Sequence, residues 1–281
     1  MSNKSRRKAT FLSAYKLEDR YLQRADRKSG RPSLMLGVDE SGSHVLIKAW
    51  PRASGDGKEE LRELWQHEVR HLYRLGGYPG ASTSIATLQQ AGFDDTGFYL
   101  VLDLGQRQPL ATLLQHRQAA HWLKNPRITR NRLLLWQNLS QIASALEILH
   151  DQGLLHRNID QWSILASGGS EPDFQLTGFE WSLRLAGSAN APSASRTKTG
   201  APASFIEDWR AFGELAAGLL GADVKRVIDL RIVPSDVADH LSSAEIRLLR
   251  QLIRIERLDR LDGEIVRLRI QDILRARPEK S

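Results

Sequence analysis

Two apolar runs joined by a short polar turn constrain this chain more than any other feature. Ser33-Leu34-Met35-Leu36-Gly37-Val38 and His44-Val45-Leu46-Ile47-Lys48-Ala49-Trp50 have strand composition, and Asp39-Glu40-Ser41-Gly42 between them is a hairpin signal. The region 21–50 as a whole reads as three strands. Over residues 58–75 the period changes, because Leu61, Leu64, Trp65, Glu68, Leu72 and Leu75 recur at spacings of three and four and predict a helix. Gly76-Gly77-Tyr78-Pro79-Gly80 stops it. Strands are expected around 84–89 and 98–104, with Asp94, Asp95 and Gly97 turning the chain between them.

Beyond Pro109 the pattern becomes mainly helical. Residues 133–150 read as a strong amphipathic helix, with Leu134, Leu135, Leu139, Ile142, Ala143, Leu146 and Leu149 on its apolar side. Helices are also expected over 205–220, 242–258 and 265–274. Between them, residues 186–204 hold nothing larger or more apolar than Ala and Pro. Such a stretch buries too little surface to offset its ordering entropy and is expected to be a mobile loop. Strands first and helices later predict an α+β chain in two lobes.

Composition narrows the setting. There is no cysteine, which removes disulfides and thiolate metal sites. No apolar stretch approaches the length of a membrane span, and Lys4, Arg6, Arg7 and Lys8 stand where a signal peptide would begin its apolar core, so a cytoplasmic protein is expected. The net charge of +7 is local. Residues 1–31 carry ten Lys/Arg against three acids, and the remaining residues balance. That excess reads either as a solvated leader or as an electrostatic surface for nucleic acid or an acidic partner. Arg247, Arg250, Arg254 and Arg257 add a basic stripe at helical spacing, itself either a solvated face or part of such a surface.

The order of motifs resembles a protein kinase catalytic domain over roughly residues 21–274. Val45-Leu46-Ile47-Lys48 is similar to the strand whose Lys pairs with the ATP phosphates, and Glu68, twenty residues on, to the helical Glu that pairs with that Lys. Tyr99-Leu100-Val101-Leu102-Asp103-Leu104 resembles the strand entering the adenine-binding hinge, with Leu102 as gatekeeper and Asp103 after it. Leu149-His150-Asp151-Gln152-Gly153-Leu154-Leu155-His156-Arg157 resembles the approach to the catalytic loop. Asp208-Trp209-Arg210-Ala211-Phe212-Gly213 resembles the start of the central buried helix. The resemblance implies that Leu72, His156 and Phe179 belong to a hydrophobic spine, and that Asp208 accepts hydrogen bonds from the catalytic-loop backbone. It implies an antiparallel sheet lobe with one helix over 16–104 and a larger helical lobe over 105–276, flanked by a leader (1–15) and a tail (277–281).

The positions that would carry chemistry depart from the pattern. Asn158 replaces the catalytic Asp, Ser163 the Asn that ligates magnesium, and Gly178 the Asp that holds the metal against the phosphates. Asp160 stands where many kinases have a phosphate-steadying Lys, and residues 23–31 keep one glycine of the phosphate-covering loop. Arg260 resembles the arginine that pairs with the Glu of Ala-Pro-Glu, yet Ala201-Pro202-Ala203 supplies no such Glu. Phe179-Glu180-Trp181 also loosely resembles a motif of aminoglycoside- and choline-type phosphotransferases, although His156-Arg157 and the start of the central helix favour the protein-kinase branch. The resemblance therefore implies a pseudokinase, a regulatory or scaffolding module with a protein partner. ATP, without Mg2+ or with Mg2+ weakly held, would be at most a structural ligand. The alternative is a divergent kinase or nucleotidyl transferase in which Asp160 and Glu180 form a displaced metal site. Glu180 reads equally as a surface residue of its loop.

Overall fold

The computed structural model describes residues 10–26, 30–52, 57–116, 121–184, 204–254 and 261–276. The fold is α+β, with a five-stranded antiparallel sheet and, among the described residues, eight α-helices. The chain divides into two compact units, Met1–Tyr73 with Ala86–Gln106, and Arg74–Ile85 with Arg107–Ser281. No described helix is long and apolar enough to cross a membrane.

The first unit holds β1 (Lys16–Gln23), β2 (Ser33–Val38), β3 (His44–Pro51), α1 (Gly57–Gly76) up to Tyr73, β4 (Leu88–Phe93) and β5 (Gly97–Asp103), with sheet order β1-β2-β3-β5-β4. The predicted hairpin is β2 and β3. Its turn closes on Asp39, whose Oδ1 accepts from the backbone N–H groups of Ser41 and Ser43. β3 lies at the centre, so residues of both its faces are buried and its sequence is apolar without alternation. Met35, Val45, Ile47, Ala49, Tyr99 and Val101 share one face, and Phe11, Leu12, Tyr15 and Leu17 cover it. Leu46, Lys48 and Trp50 point to the other, as the two-residue period requires. β1 is an edge strand and is mostly exposed, in keeping with Lys16, Glu18, Asp19 and Arg20 in its sequence.

In the second unit, β6 (Gln108–Pro109), β8 (Ile164–Ala166) and β9 (Gln175–Leu176) form one small sheet, and β7 (Leu154–Leu155) pairs with β10 (Leu183–Arg184). The helices are α2 (Leu110–His116), α3 (Thr129–Asp151), α4 (Phe205–Leu219), α5 (Val224–Ile228), α6 (Pro234–Val237), α7 (Ser243–Ile253) and α8 (Gly263–Arg275). α3 packs on α8 and α4 on α7. α4 and α7 approach so closely that a Cβ at Gly213 would stand 2.6 Å from Cβ of Leu252, which requires glycine there. α3 and α7 are joined by a buried network in which Glu245 accepts from Arg132 Nε at 2.9 Å and Trp136 Nε1 at 2.8 Å. The same Glu245 closes a capping box with Ser242.

Several expectations need correction. Residues 84–86 are not strand: the N–H groups of Ser84 and Ile85 both return to the carbonyl of Ala81, and the strand begins only at Leu88. Ile85 is buried instead through a single bridge to Leu176. Residues 11–15 are not a solvated leader, because Phe11 stacks on Tyr99 at 5.2 Å and its N–H is held by Asp94. The arginine stripe is not a uniform solvated face. Arg250 donates to the carbonyls of Val227, Asp229 and Ile232, and Arg254 to that of Ile228, so both pin the segment around α5. Arg247 is exposed. Residues 1–9, Arg27, Lys28, Arg257, Arg260, 201–203 and nearly all of the loop expected over 186–204 lie outside the described residues.

Candidate functional site

In the first unit the sequence places one lysine in the middle of a central strand. Lys48 is paired in register with Leu34 on β2 and Leu100 on β5, so its stem is enclosed by apolar neighbours. Its Nζ donates to Oε1 of Glu68 on α1 at 2.6 Å, and the residues are 3% and 0% exposed. A buried pair of this kind holds its partners by the cost of leaving either charge alone. α1 is further seated by Trp65, whose Nε1 donates to the carbonyl of Tyr99 at 2.8 Å.

Leu102 is fully buried and Asp103 is exposed at the end of β5. The three N–H groups that follow Leu102 are all engaged. Asp103 donates to Thr87 O at 3.0 Å, Leu104 to His44 O at 3.1 Å, and Gly105 to Oδ1 of Asp103 at 3.0 Å.

In the second unit, the loop that follows β7 is organised by Asp208 in the first turn of α4. The Asp208 Oδ2 accepts from His156 N at 2.7 Å and from His150 Nε2 at 3.0 Å, and Oδ1 accepts from Arg157 N at 2.8 Å. Burial pushes this carboxyl's pKa up, but the His150 hydrogen bond and its other donors outweigh burial and hold it below the ordinary carboxylate range. Arg157 has a φ of 67°, the one non-glycine left-handed residue among those described.

The His156 ring is fixed in one tautomer. Its Nδ1 accepts from Asn158 N at 3.2 Å, so Nε2 carries the proton and donates to Thr177 O at 2.9 Å. With both nitrogens committed and the residue fully buried, His156 is a packing element. Its ring meets Phe179 edge-on at 5.1 Å. Leu72 is buried in the first unit.

Asn158, Ser163 and Gly178 come together. A Cβ built on Gly178 would stand 3.1 Å from Cβ of Ser163 and 3.8 Å from Nδ2 of Asn158. Three positions thus converge on one spot and present an amide, a hydroxyl and no side chain. The hydroxyl is already in use, because Ser163 Oγ accepts from Asp160 N at 2.9 Å and lies 3.0 Å from Asp160 O. Oδ1 of Asp160 in turn accepts from the N–H groups of Trp162 and Ser163 at 2.7 and 2.9 Å, so that oxygen closes a turn. Glu180 is buried at 6% exposure in the 3-10 turn Phe179–Trp181, which corrects its reading as a surface residue. Among the described residues no three His, Asp or Glu side chains gather into a metal-holding group.

Sequence reasoning singled out each of these residues but not His150, which supports Asp208 from α3, nor the Arg132–Glu245 network. His150 directly precedes Asp151, in the string quoted for the loop approach, and its aromatic neighbours Phe205 and Trp209 flank Asp208. No protein-family model matches the chain.

Proposed function

We propose that the chain is a pseudokinase, a two-lobed kinase-like protein that works as a regulatory or scaffolding module and does not transfer phosphate. The observation that carries this reading is the convergence of Asn158, Ser163 and Gly178. At the point where phosphoryl transfer needs a base and metal carboxylates, these positions offer none. Around them Asp208 accepts from the loop backbone and His156 packs edge-on against Phe179. The buried Lys48–Glu68 ion pair fits a role in orienting a nucleotide as a structural ligand. The partner is a protein that reads the folded surface.

The test is a thermal-shift series with ATP, in the presence and absence of Mg2+ or Mn2+. Metal-independent stabilisation, or none, agrees with the reading. Strictly metal-dependent stabilisation lost in Asp160→Ala and Glu180→Ala would favour the displaced-metal alternative, which requires Asp160 to give up the turn it now closes.

A further inference from the structure

The two edges of the five-stranded sheet are built differently. β1 carries Lys16, Glu18, Asp19 and Arg20, and it slips register against β2 between Leu17 and Tyr21 and again between Tyr21 and Gln23. Charges and bulges of this kind keep an edge from pairing with a further strand. β4, the opposite edge, reads Leu88-Gln89-Gln90-Ala91-Gly92-Phe93 and has neither a charged residue nor a proline. Its register shift lies between Leu88 and Gln90, so residues 90–93 run regularly against β5.

Antiparallel strands alternate between hydrogen-bonded and non-hydrogen-bonded pairs. Asp103 N donates to Thr87 O, and Asp94 N donates to Gly97 O. That phase puts Tyr99 and Val101 at bonded positions, opposite Gly92 and Gln90. Ala91 and Phe93, opposite Leu100 and Phe98, fall at the non-bonded ones, so the N–H and C=O of both point away from the sheet. Among the described residues β5 is the one sheet neighbour of β4. At the same rim Phe93 is 69% exposed, and its ring continues an aromatic group with Trp65 at 6.1 Å and Phe98 at 6.3 Å.

We infer that β4 pairs antiparallel with β4 of a second copy of this chain, about a two-fold axis at Gly92. In that register Ala91 faces Phe93 of the second copy and Phe93 faces its Ala91. Each of the two pairs exchanges both of its outward N–H···O=C bonds. Each Phe93 ring then lies across from a methyl group, large against small, on the face that carries Trp65. The same register sets Asp94 against Gln90 of the second copy, so no carboxylate meets another. A neutral strand therefore meets its own copy without like-charge repulsion. Pairing uses up β4, and the charged, bulged β1 offers no second edge, so assembly closes at the dimer.

Analytical ultracentrifugation of the full chain from about 1 to 300 µM tests this. The ladder is short, so the expected result is a monomer–dimer equilibrium with a Kd of about 10–100 µM. Ala91→Pro and Phe93→Lys should each weaken it roughly tenfold or more. The proline removes a donor that the β4–β5 ladder does not use, so the fold should persist. Tyr21→Lys, on the opposite edge, should leave the equilibrium unchanged. A monomer at every concentration, growth beyond the dimer, or a dimer untouched by both β4 variants overturns the inference. Should the β4 variants fail to fold, amide hydrogen exchange of the wild type decides. Exchange at Ala91 and Phe93 that slows as protein concentration rises supports the pairing, and exchange there that does not change with concentration overturns it.

Discussion

Asp208 holds Arg157 in a left-handed backbone conformation: its Oδ1 accepts the Arg157 N–H at 2.8 Å, and Arg157 has a φ of 67°. A non-glycine residue in that region is strained by about 1–2 kcal/mol, and it persists only where its surroundings insist on it. The same carboxylate fixes the N–H of His156 and receives the His150 ring. One buried side chain therefore shapes the loop on which Asn158 sits.

Replacing Asp208 by Asn should cost about 2–4 kcal/mol in denaturant unfolding, because the buried His156 N–H, the part-buried Arg157 N–H and the His150 imidazole lose a charged acceptor. The pH dependence has a definite sign. The Asp208 pKa is lower in the folded chain than in the unfolded one. Its contribution is therefore complete above the unfolded value of about 4 and is lost as pH falls through the folded one. Asp208→Asn should flatten the acid limb of the stability profile and leave its slope near neutrality unchanged.

The Lys48–Glu68 pair should behave as a unit. Lys48→Met or Glu68→Leu alone leaves a buried charge and should cost about 3–5 kcal/mol. The double substitution should cost clearly less than the sum, measured as a double-mutant cycle by chemical unfolding. Additive losses would mean that the pair is not coupled in the folded chain.

Gly178 should tolerate Asn better than Ala. Its φ of 89° and ψ of 40° are left-handed, and an added Cβ would press Ser163 at 3.1 Å. Asn adopts this conformation more readily than Ala, so Gly178→Ala should lose about 1–2 kcal/mol and Gly178→Asn less, by thermal or denaturant unfolding. Equal losses would show that the contact with Ser163 dominates.

Arg250 and Arg247 should separate in the same way. Arg250→Ala removes donors to three carbonyls and should cost about 1.5–3 kcal/mol, whereas exposed Arg247→Ala should stay within about 0.5 kcal/mol. Nucleic-acid affinity that fell equally in both, with a steep salt dependence, would restore the stripe as a binding surface.

Much of this was legible in the sequence where residue type and period coincide. The run around Lys48 is apolar on both faces because β3 has a neighbour on each side, and Glu68 falls on the apolar stripe of a helix, where only a partner explains a carboxylate. Asp208, His156 and Arg157 were legible as a spaced string. Helical spacing places Arg250 and Arg254 on one face but says nothing of what packs there, and the carbonyls they hold come from segments 18 to 26 residues away. α5 and α6, of five and four residues, are too short to show a period. The burial of Glu180 and the bridge from Ile85 to Leu176 depend on tertiary contacts that no local pattern encodes.

The pseudokinase proposal requires that the chain transfer no phosphate. The most direct measurement incubates the purified full chain with γ-labelled ATP and Mg2+ or Mn2+, alone and with general protein substrates, beside Lys48→Met. No transfer above that of the Lys48→Met protein is expected. Turnover by the wild type that disappears in Lys48→Met would contradict it.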